Sequence, residues 1–446
     1  MRRLIIISLF LVAGGLNAQQ DLTLYQLSGV PQRNLVNPAV FPDSKMVIGI
    51  PALASINLNY NNVSFSVNDG FVIDGSTLVI DPEYLVSKLN DDNYIYNQEQ
   101  DQWFMFGYVF GKNYLQLGIS DKVLIDLTFP KSIFELAIQG NAAFLGERVS
   151  IEGLGLNATH YREISLGYAR KLGKWDVGIH ANLLFGLANI YTRTFDMGIY
   201  TDPETYAILI DGDIEVNTSG LDNIDDFGNY ITRMVNNGFA VDLGVVYKPN
   251  KDWEFSTSIL DLGGIKWKEN VKSYVNNGKS FALNGIDIKD YIYDGDLDTD
   301  SILEGIKDSI SEVFKLDEVN DNYGTPLTPK WYIGAKYNLT EQHRFYATIN
   351  LQFFRAGIRP AFSLGYEFRL ERNLSVTANY SIISGSYANV GVGLMVRGGP
   401  LQFYFMSDNL LAAFNAFNYQ AIHYRFGINL TFGPLDDVKS TRAYLR

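Results

Sequence analysis

Along much of this chain, large apolar residues fall on every second position. In residues 424–432, Tyr424, Phe426, Ile428, Leu430 and Phe432 alternate with Arg425, Gly427, Asn429 and Thr431. Residues 344–353 place Phe345, Ala347, Ile349, Leu351 and Phe353 on one side, and 362–370 do the same with Phe362, Leu364, Tyr366, Phe368 and Leu370. Trp175, Val177, Ile179, Ala181, Leu183 and Phe185 repeat the pattern. Successive side chains of a strand point to opposite faces, so each stretch is a strand with one apolar and one polar face. A soluble β-sandwich alternates in the same way. Here, however, the apolar faces often end on aromatics, and the opposite faces are rich in Gly, Ser, Thr and Asn with charges. Each stretch runs about ten residues, the length a tilted strand needs to cross hydrocarbon. The pattern predicts an all-β, transmembrane antiparallel barrel.

Strands are expected near 45–70, 101–110, 113–128, 148–170, 175–200, 238–248, 252–268, 328–338, 343–354, 359–370, 374–385, 388–397, 401–408 and 421–432, about fourteen in all. The stretches 45–70 and 175–200 are long enough to hide a further hairpin, which leaves sixteen open. Short, turn-type joins occur at 111–113, 172–174, 248–252, 338–342, 371–373 and 398–400. They fall at every second join, and long joins at 71–100, 129–147, 201–237, 269–327 and 409–420 lie between them. Outer-membrane barrels have short periplasmic turns and longer outside loops. Fourteen strands with both termini periplasmic need six such turns.

The ends divide the chain further. Arg2 and Arg3 precede an apolar run from Leu4 to Val12, and Ala18 stands before Gln19, so 1–18 reads as a secretory signal peptide. Residues 19–44 do not alternate and carry Pro31, Pro38 and Pro42. A barrel of this size needs filling, since diameter grows with strand number. The segment 19–44 is therefore expected as a luminal plug, 45–432 as the barrel and 433–446 as a periplasmic tail. Arg425, Gly427, Leu430 and Phe432 match the polar, glycine, hydrophobic and aromatic positions of a last strand read by barrel-assembly machinery, which that stretch resembles. Outer-membrane lipid and that machinery are the expected partners.

Lumen-facing charges are expected at Asp176, Asp242, Arg344, Glu367, Arg369 and Arg425, because a charge facing lipid at mid-membrane costs roughly 2–4 kcal/mol for Arg or Lys. They form either a brace across the wall or a selectivity constriction. His180 shares a face with Asp176 and reads as a luminal hydrogen-bonding group.

The long joins carry helix signals. Asp81 precedes Pro82, while Ser132 with Glu135 and Ser301 with Glu304 have capping-box spacing. Phe134 and Ile138 lie in one of these helices, and Leu303, Ile306, Ile310 and Phe314 form an apolar stripe in another. Such faces either pack on one another as a cap or form a cup for a hydrophobic ligand.

Composition narrows the function. The chain has 446 residues, a net charge of −13 and no cysteine. An acidic protein lacks the electrostatic footprint of a nucleic-acid binder, and without cysteine there is no thiolate nucleophile or lipoprotein anchor. The four histidines, His160, His180, His343 and His423, suggest no catalytic set by spacing. No cofactor or metal is expected. The segment "DGDLDTD" (294–300) has Thr299 where a calcium loop needs Gly.

Asn37, Pro38 and Ala39 stand before the first strand, and "SDNLL" (Ser407–Leu411) follows a late one. With this opening the chain resembles long-chain fatty-acid transporter-like barrels, and more closely an uncharacterised set of Bacteroidetes barrels. It is similar in outline to barrels associated with type IX secretion and gliding motility. The resemblance implies fourteen strands and N-terminal residues tucked into the lumen. It implies either passage or binding of hydrophobic small molecules, or a non-transporting partner barrel of a secretion, gliding or surface-assembly system.

Overall fold

The computed structural model describes residues 21–62, 71–74, 77–221, 227–276, 280–283, 292–293, 296–297, 317–383, 386–413 and 421–434. The expected signal peptide, the calcium-like segment for the most part, the stripe Leu303, Ile306, Ile310 and Phe314, and nearly all of the tail lie outside the described residues.

The wall begins with β1, Ser44–Gly49 continuing as Ser55–Asn62. Then come β2 (Asp92–Phe110), β3 (Asn113–Pro130), β4 (Gly155–Leu172) and β5 (Trp175–Thr201). β6 is Ile208–Ser219 with Asn237–Tyr247, and β7 is Trp253–Trp267 with Val271–Val275. β8 is assembled from Asp317–Val319, Tyr323–Pro326 and Lys330–Asn338. The remainder are β9 (His343–Phe354), β10 (Gly357–Leu370), β11 (Leu374–Ile383), β12 (Ser386–Gly398), β13 (Leu401–Ser407) and β14 (Ala421–Pro434). Each pairs antiparallel with its neighbours, and β14 zips to β1 with Phe432 opposite Met46 and Phe426 opposite Ile56. The fourteen strands thus form a closed ring. Closure removes the sheet edge that hydrocarbon could not satisfy.

Alternation sorts the two faces. Leu166, Leu183 and Leu364 are each more than half exposed on the outside. The inside is Asn, Gln, Ser, Thr and charge, almost wholly buried. Aromatics mark the outer rim near the short turns, where Trp175 stacks on Tyr247 at 4.2 Å and Trp253 meets Tyr337 at 4.9 Å. An outer apolar band edged by aromatics is what a bilayer selects.

Several expected boundaries move. β2 starts at Asp92 rather than 101. The expected strand 148–170 splits, since Arg148–Ser150 pairs with the far part of β5 and β4 begins at Gly155. The supposed loops 201–237 and 269–327 contain strands that extend β6, β7 and β8. The stretch 175–201 hides no hairpin and is one strand of 27 residues. These additions prolong the wall on one side, past the apolar band.

The helix at Asp81 is capped as expected, with its carboxylate accepting from the Tyr84 backbone N–H at 2.8 Å. The capping box at Ser132 does not form. The N-cap of the helix Ser132–Gln139 is Lys131, which pairs with Glu135 at 3.4 Å. Ser132 lies inside the first turn, where its hydroxyl donates to the Ser150 carbonyl instead.

Candidate functional site

The lumen is filled from its short-turn end by residues 21–43. This segment has two short turns of helix, α1 (Leu22–Gln26) and a 3-10 turn at Pro31–Leu35. Leu24, Tyr25, Leu27, Val30 and Val36 pack with the wall residues Leu260, Tyr332, Met395, Tyr404 and Met406 in one buried cluster.

Polar contacts fix the plug at both ends. At its deep end the Arg425 guanidinium forks onto the Asp21 carboxylate at 2.9 and 3.0 Å and also reaches Ser55 and Gln100. The backbone N–H groups of Leu22 and Thr23 donate to Asp408 at 3.2 and 2.6 Å. His423 lies between the two carboxylates, 3.3 Å from Asp21 and 3.4 Å from Asp408. Burial alone would raise the Asp21 carboxyl, but Arg425 and His423 outweigh it and hold the group well below its ordinary value. At the other end Asp43 pairs with Arg369, and there too the guanidinium overcomes burial and lowers the carboxyl. Between them Glu367, fully buried, accepts from the Ser28 N–H at 2.7 Å and from Tyr346 at 2.6 Å, with Arg344 beside it at 3.3 Å.

The triplet Asn37-Pro38-Ala39 sits in a notch of the wall. Gly178 of β5 and Gly244 of β6 are directly paired. A Cβ on Gly178 would come within 2.2 Å of the Pro38 carbonyl oxygen, and one on Gly244 within 2.3 Å of Asn37 Oδ1. The triplet is itself a tight turn, with the Ala39 N–H donating to Asn37 Oδ1 at 3.0 Å. Next to it His180 touches Asp242 through Nδ1 at 3.2 Å and Asn34 Oδ1 through Nε2 at 2.6 Å. Asn34 donates its own amide N–H groups to the Pro38 and Val40 carbonyls, which fixes its orientation. His180 thus bridges the wall residue Asp242 and the plug residue Asn34 as a luminal hydrogen-bonding group. Asp176 pairs with Lys248 at 2.5 Å. All seven of the ionisable residues singled out in the sequence thus face the lumen, and Arg344, Glu367, Arg369, Arg425 and His180 hold the plug directly.

Further along the lumen, opposite walls meet. β2 and β9 are seven strands apart in the ring, as are β3 and β10. Yet Tyr96 packs edge-on against Phe354, centroids 4.9 Å apart. Arg359 reaches from β10 to Asp126 of β3 at 2.7 Å, its guanidinium lying 3.4 Å from the Tyr94 ring centre and 3.8 Å from that of Phe354. Lys330 touches Gln98 at 3.1 Å and Asp261 at 3.4 Å. This latch closes the lumen a second time, on the long-loop side of the plug. Beside it an apolar luminal strip carries Tyr161, Leu184, Ile265, Trp267 and Leu327.

Phe134 lies in the long-loop helix, packed against Phe129 at 5.4 Å, and its neighbour Ile133 packs on Ile151, Met197, Ile210 and Ile214. Ile138 is half-buried in the same helix. In the last strand Arg425 and Gly427 face inward, and Phe432 is exposed on the outside. Gly427 admits the Ala54 carbonyl where β1 is interrupted, a Cβ there falling 2.3 Å from that oxygen. Sequence reasoning missed Asp21, Asp408, His423 and the latch. A signal for Asp408 was present in the "SDNLL" stretch, although its role as the acceptor for the plug was not legible.

The model of a family of unknown function (DUF5723) matches residues 38–408. A search of curated proteins finds no match. Among solved structures the chain is similar to the toluene transporter TbuX of Ralstonia pickettii, at 9% identity over 90% of this chain and 94% of that one, with a TM-score of 0.42. It is similar to the toluene transporter TodX of Pseudomonas putida at 10% identity, covering 93% and 96%, TM-score 0.41. A FadL homologue of Pseudomonas aeruginosa is matched at 7% identity, covering 94% and 98%, TM-score 0.42. The closure of the barrel rests on its own strand ladder.

Proposed function

The chain belongs to this family of unknown function, DUF5723, and from that premise we propose that it is an outer-membrane barrel, closed at rest, that binds or passes small hydrophobic molecules when its plug and latch move. The short turns then lie in the periplasm, and both ends of the barrel wall lie on that side. The observation that carries the reading is the double closure: a plug docked through an apolar cluster and through polar pairs at both ends, then a side-chain latch, with an apolar luminal strip beside it. The hydrogen-bonded part of that docking suits a reversible stopper, because its bonds exchange with water at small net cost when both partners are hydrated together. The strip is buried while the barrel is closed, and movement of the latch would uncover an apolar surface that a pore for ions would not need.

The test uses three proteins in planar bilayers and dye-loaded liposomes: deletion of 21–40 behind the intact signal, Phe354→Ala with Arg359→Ala, and the two combined. Each single change should open the barrel only in part, and the combination should raise conductance and uptake of an apolar dye well above either. A folded combined variant that stays as closed as the intact protein sinks the transport reading. A second reading, a docking barrel for a surface or secretion assembly, would then gain. Its support is the one-sided wall extension, in which β5 alone runs 27 residues, roughly 90 Å of strand.

A further inference from the structure

The latch is built around a cation. The Arg359 guanidinium lies between two ring faces, 3.4 Å from the Tyr94 centroid and 3.8 Å from that of Phe354, and Tyr96 stands edge-on to Phe354 beside them. Asp126 supplies the counter-charge at 2.7 Å. Arg359, Asp126, Tyr96 and Phe354 are all buried. This pair differs from Arg425 with Asp21. Arg425 forks onto its carboxylate through two hydrogen bonds and donates to Ser55 and Gln100 as well. Nη1 and Nη2 of Arg359 have no hydrogen-bond partner, and neither has Asp126 Oδ1, because the short contact between them is misaligned. A fork selects arginine by its donor pattern. Ring faces with a nearby carboxylate ask only for a cation of suitable size, with or without N–H groups.

The cation that fills the cage is carried on a lightly tied tip. β9 and β10 join through the two-residue turn Arg355-Ala356, and Arg355, Ala356, Gly357 and Ile358 are exposed. A Cβ on Gly357 would meet nothing within 4 Å. Arg355 faces the Tyr191 ring at 5.8 Å, near the outer limit for such a pair. Moving the tip away would strip Asp126 and three rings of their cation, beside the apolar luminal strip. A buried carboxylate that loses its partner is costly, so the vacated cage favours another cation. Until then Arg359 competes as a tethered group, at an effective concentration of roughly millimolar order.

We propose that the cage of Tyr94, Tyr96, Phe354 and Asp126 is a binding site for an amphiphilic organic cation, a guanidinium or quaternary ammonium carried on an apolar group, and that Arg359 occupies it as a tethered stand-in. The site names a ligand class for the closed barrel and rests on the reading above that the latch moves. Purified protein in nonionic detergent is titrated by calorimetry with butylguanidinium, with the neutral butylurea and with the anionic pentanoate. Heat-modifiable migration confirms that each variant is folded. Wild type should bind butylguanidinium weakly and the other two not at all. Arg359→Ala should bind it about tenfold more tightly or better, because the tethered competitor is gone. Arg359→Gln, which keeps the side-chain bulk, should show the same direction if the alanine variant does not fold. Adding Asp126→Asn to either should undo the gain. Binding no tighter than wild type in the Arg359 variants overturns the proposal. Butylurea or pentanoate bound as well as butylguanidinium, or a gain that survives Asp126→Asn, overturns it as well. Tightened binding by an Arg359→Ala protein that stays closed to ions and dye even with 21–40 deleted would uphold this site and sink the transport reading.

Discussion

Asp21 and Arg425 are 404 positions apart and form a two-pronged buried pair. Taking such a pair out of water is costly, and the cost is recovered only while both partners are present. Asp21→Ala should therefore weaken plug docking by about 3–5 kcal/mol, because it leaves the Arg425 charge buried and uncompensated. Limited proteolysis within 21–43 reads this, and cleavage as slow as in wild type would count against the anchor. The pH dependence has a definite sign. A carboxyl lowered in the folded state contributes fully above its ordinary value and is lost only as pH falls through the lowered one. Protection should thus be unchanged from pH 7 to pH 5. Arg425 was legible in the sequence because it alternates on a polar face. Its partner was not, since Asp21 lies in a segment with no period and nothing local marks two distant residues as neighbours.

At the scale of elements, strands were legible where one face meets lipid and the other meets the lumen. β9, β10 and the first half of β5 carry that contrast over their whole length. The start of β2 does not: its inward Tyr94, Tyr96, Gln98 and Gln100 are matched on the outside by Ile95, Asn97, Glu99 and Asp101. Past the apolar band both faces are mixed, and the alternation that identifies a strand is lost. The extensions of β6, β7 and β8 were missed for the same reason. The plug notch shows the converse, a detail fixed by two residues without side chains. Gly178 and Gly244 are ordinary lumen positions in the sequence, and only the docked triplet explains why no Cβ fits. Gly244→Leu should displace Asn37-Pro38-Ala39 while leaving the ladder of β5 and β6 intact. The measurement is a disulfide introduced between Ala39→Cys and a neighbouring wall cysteine. Equal cross-linking with and without Gly244→Leu would mean that the triplet is docked by other contacts.

For the whole molecule, the decisive property is closure. A fourteen-stranded wall has no free edge only if β14 meets β1, and that seam is made by Phe432 opposite Met46 and Ile56 opposite Phe426. Both sides of the seam are apolar on the outside, so it is sealed against hydrocarbon as well as hydrogen-bonded. Charges and amides point inward, where plug and wall residues supply partners for many of them, and the exposed leucines and aromatics need lipid or detergent. The closed barrel should therefore resist SDS at room temperature and shift its migration on heating. Phe432 is the last large side chain on the outer face of β14, followed by Gly433 and Pro434. Phe432→Ala removes its apolar contact at the seam with β1, and deletion of 435–446 removes nothing from the paired strand. The substitution should lower the heat-modifiable fraction recovered from membranes, and the deletion should leave it near wild type. If the deletion alone abolished that fraction, residues beyond the wall would be needed for closure, and the seam described by the strand register would be insufficient to account for assembly.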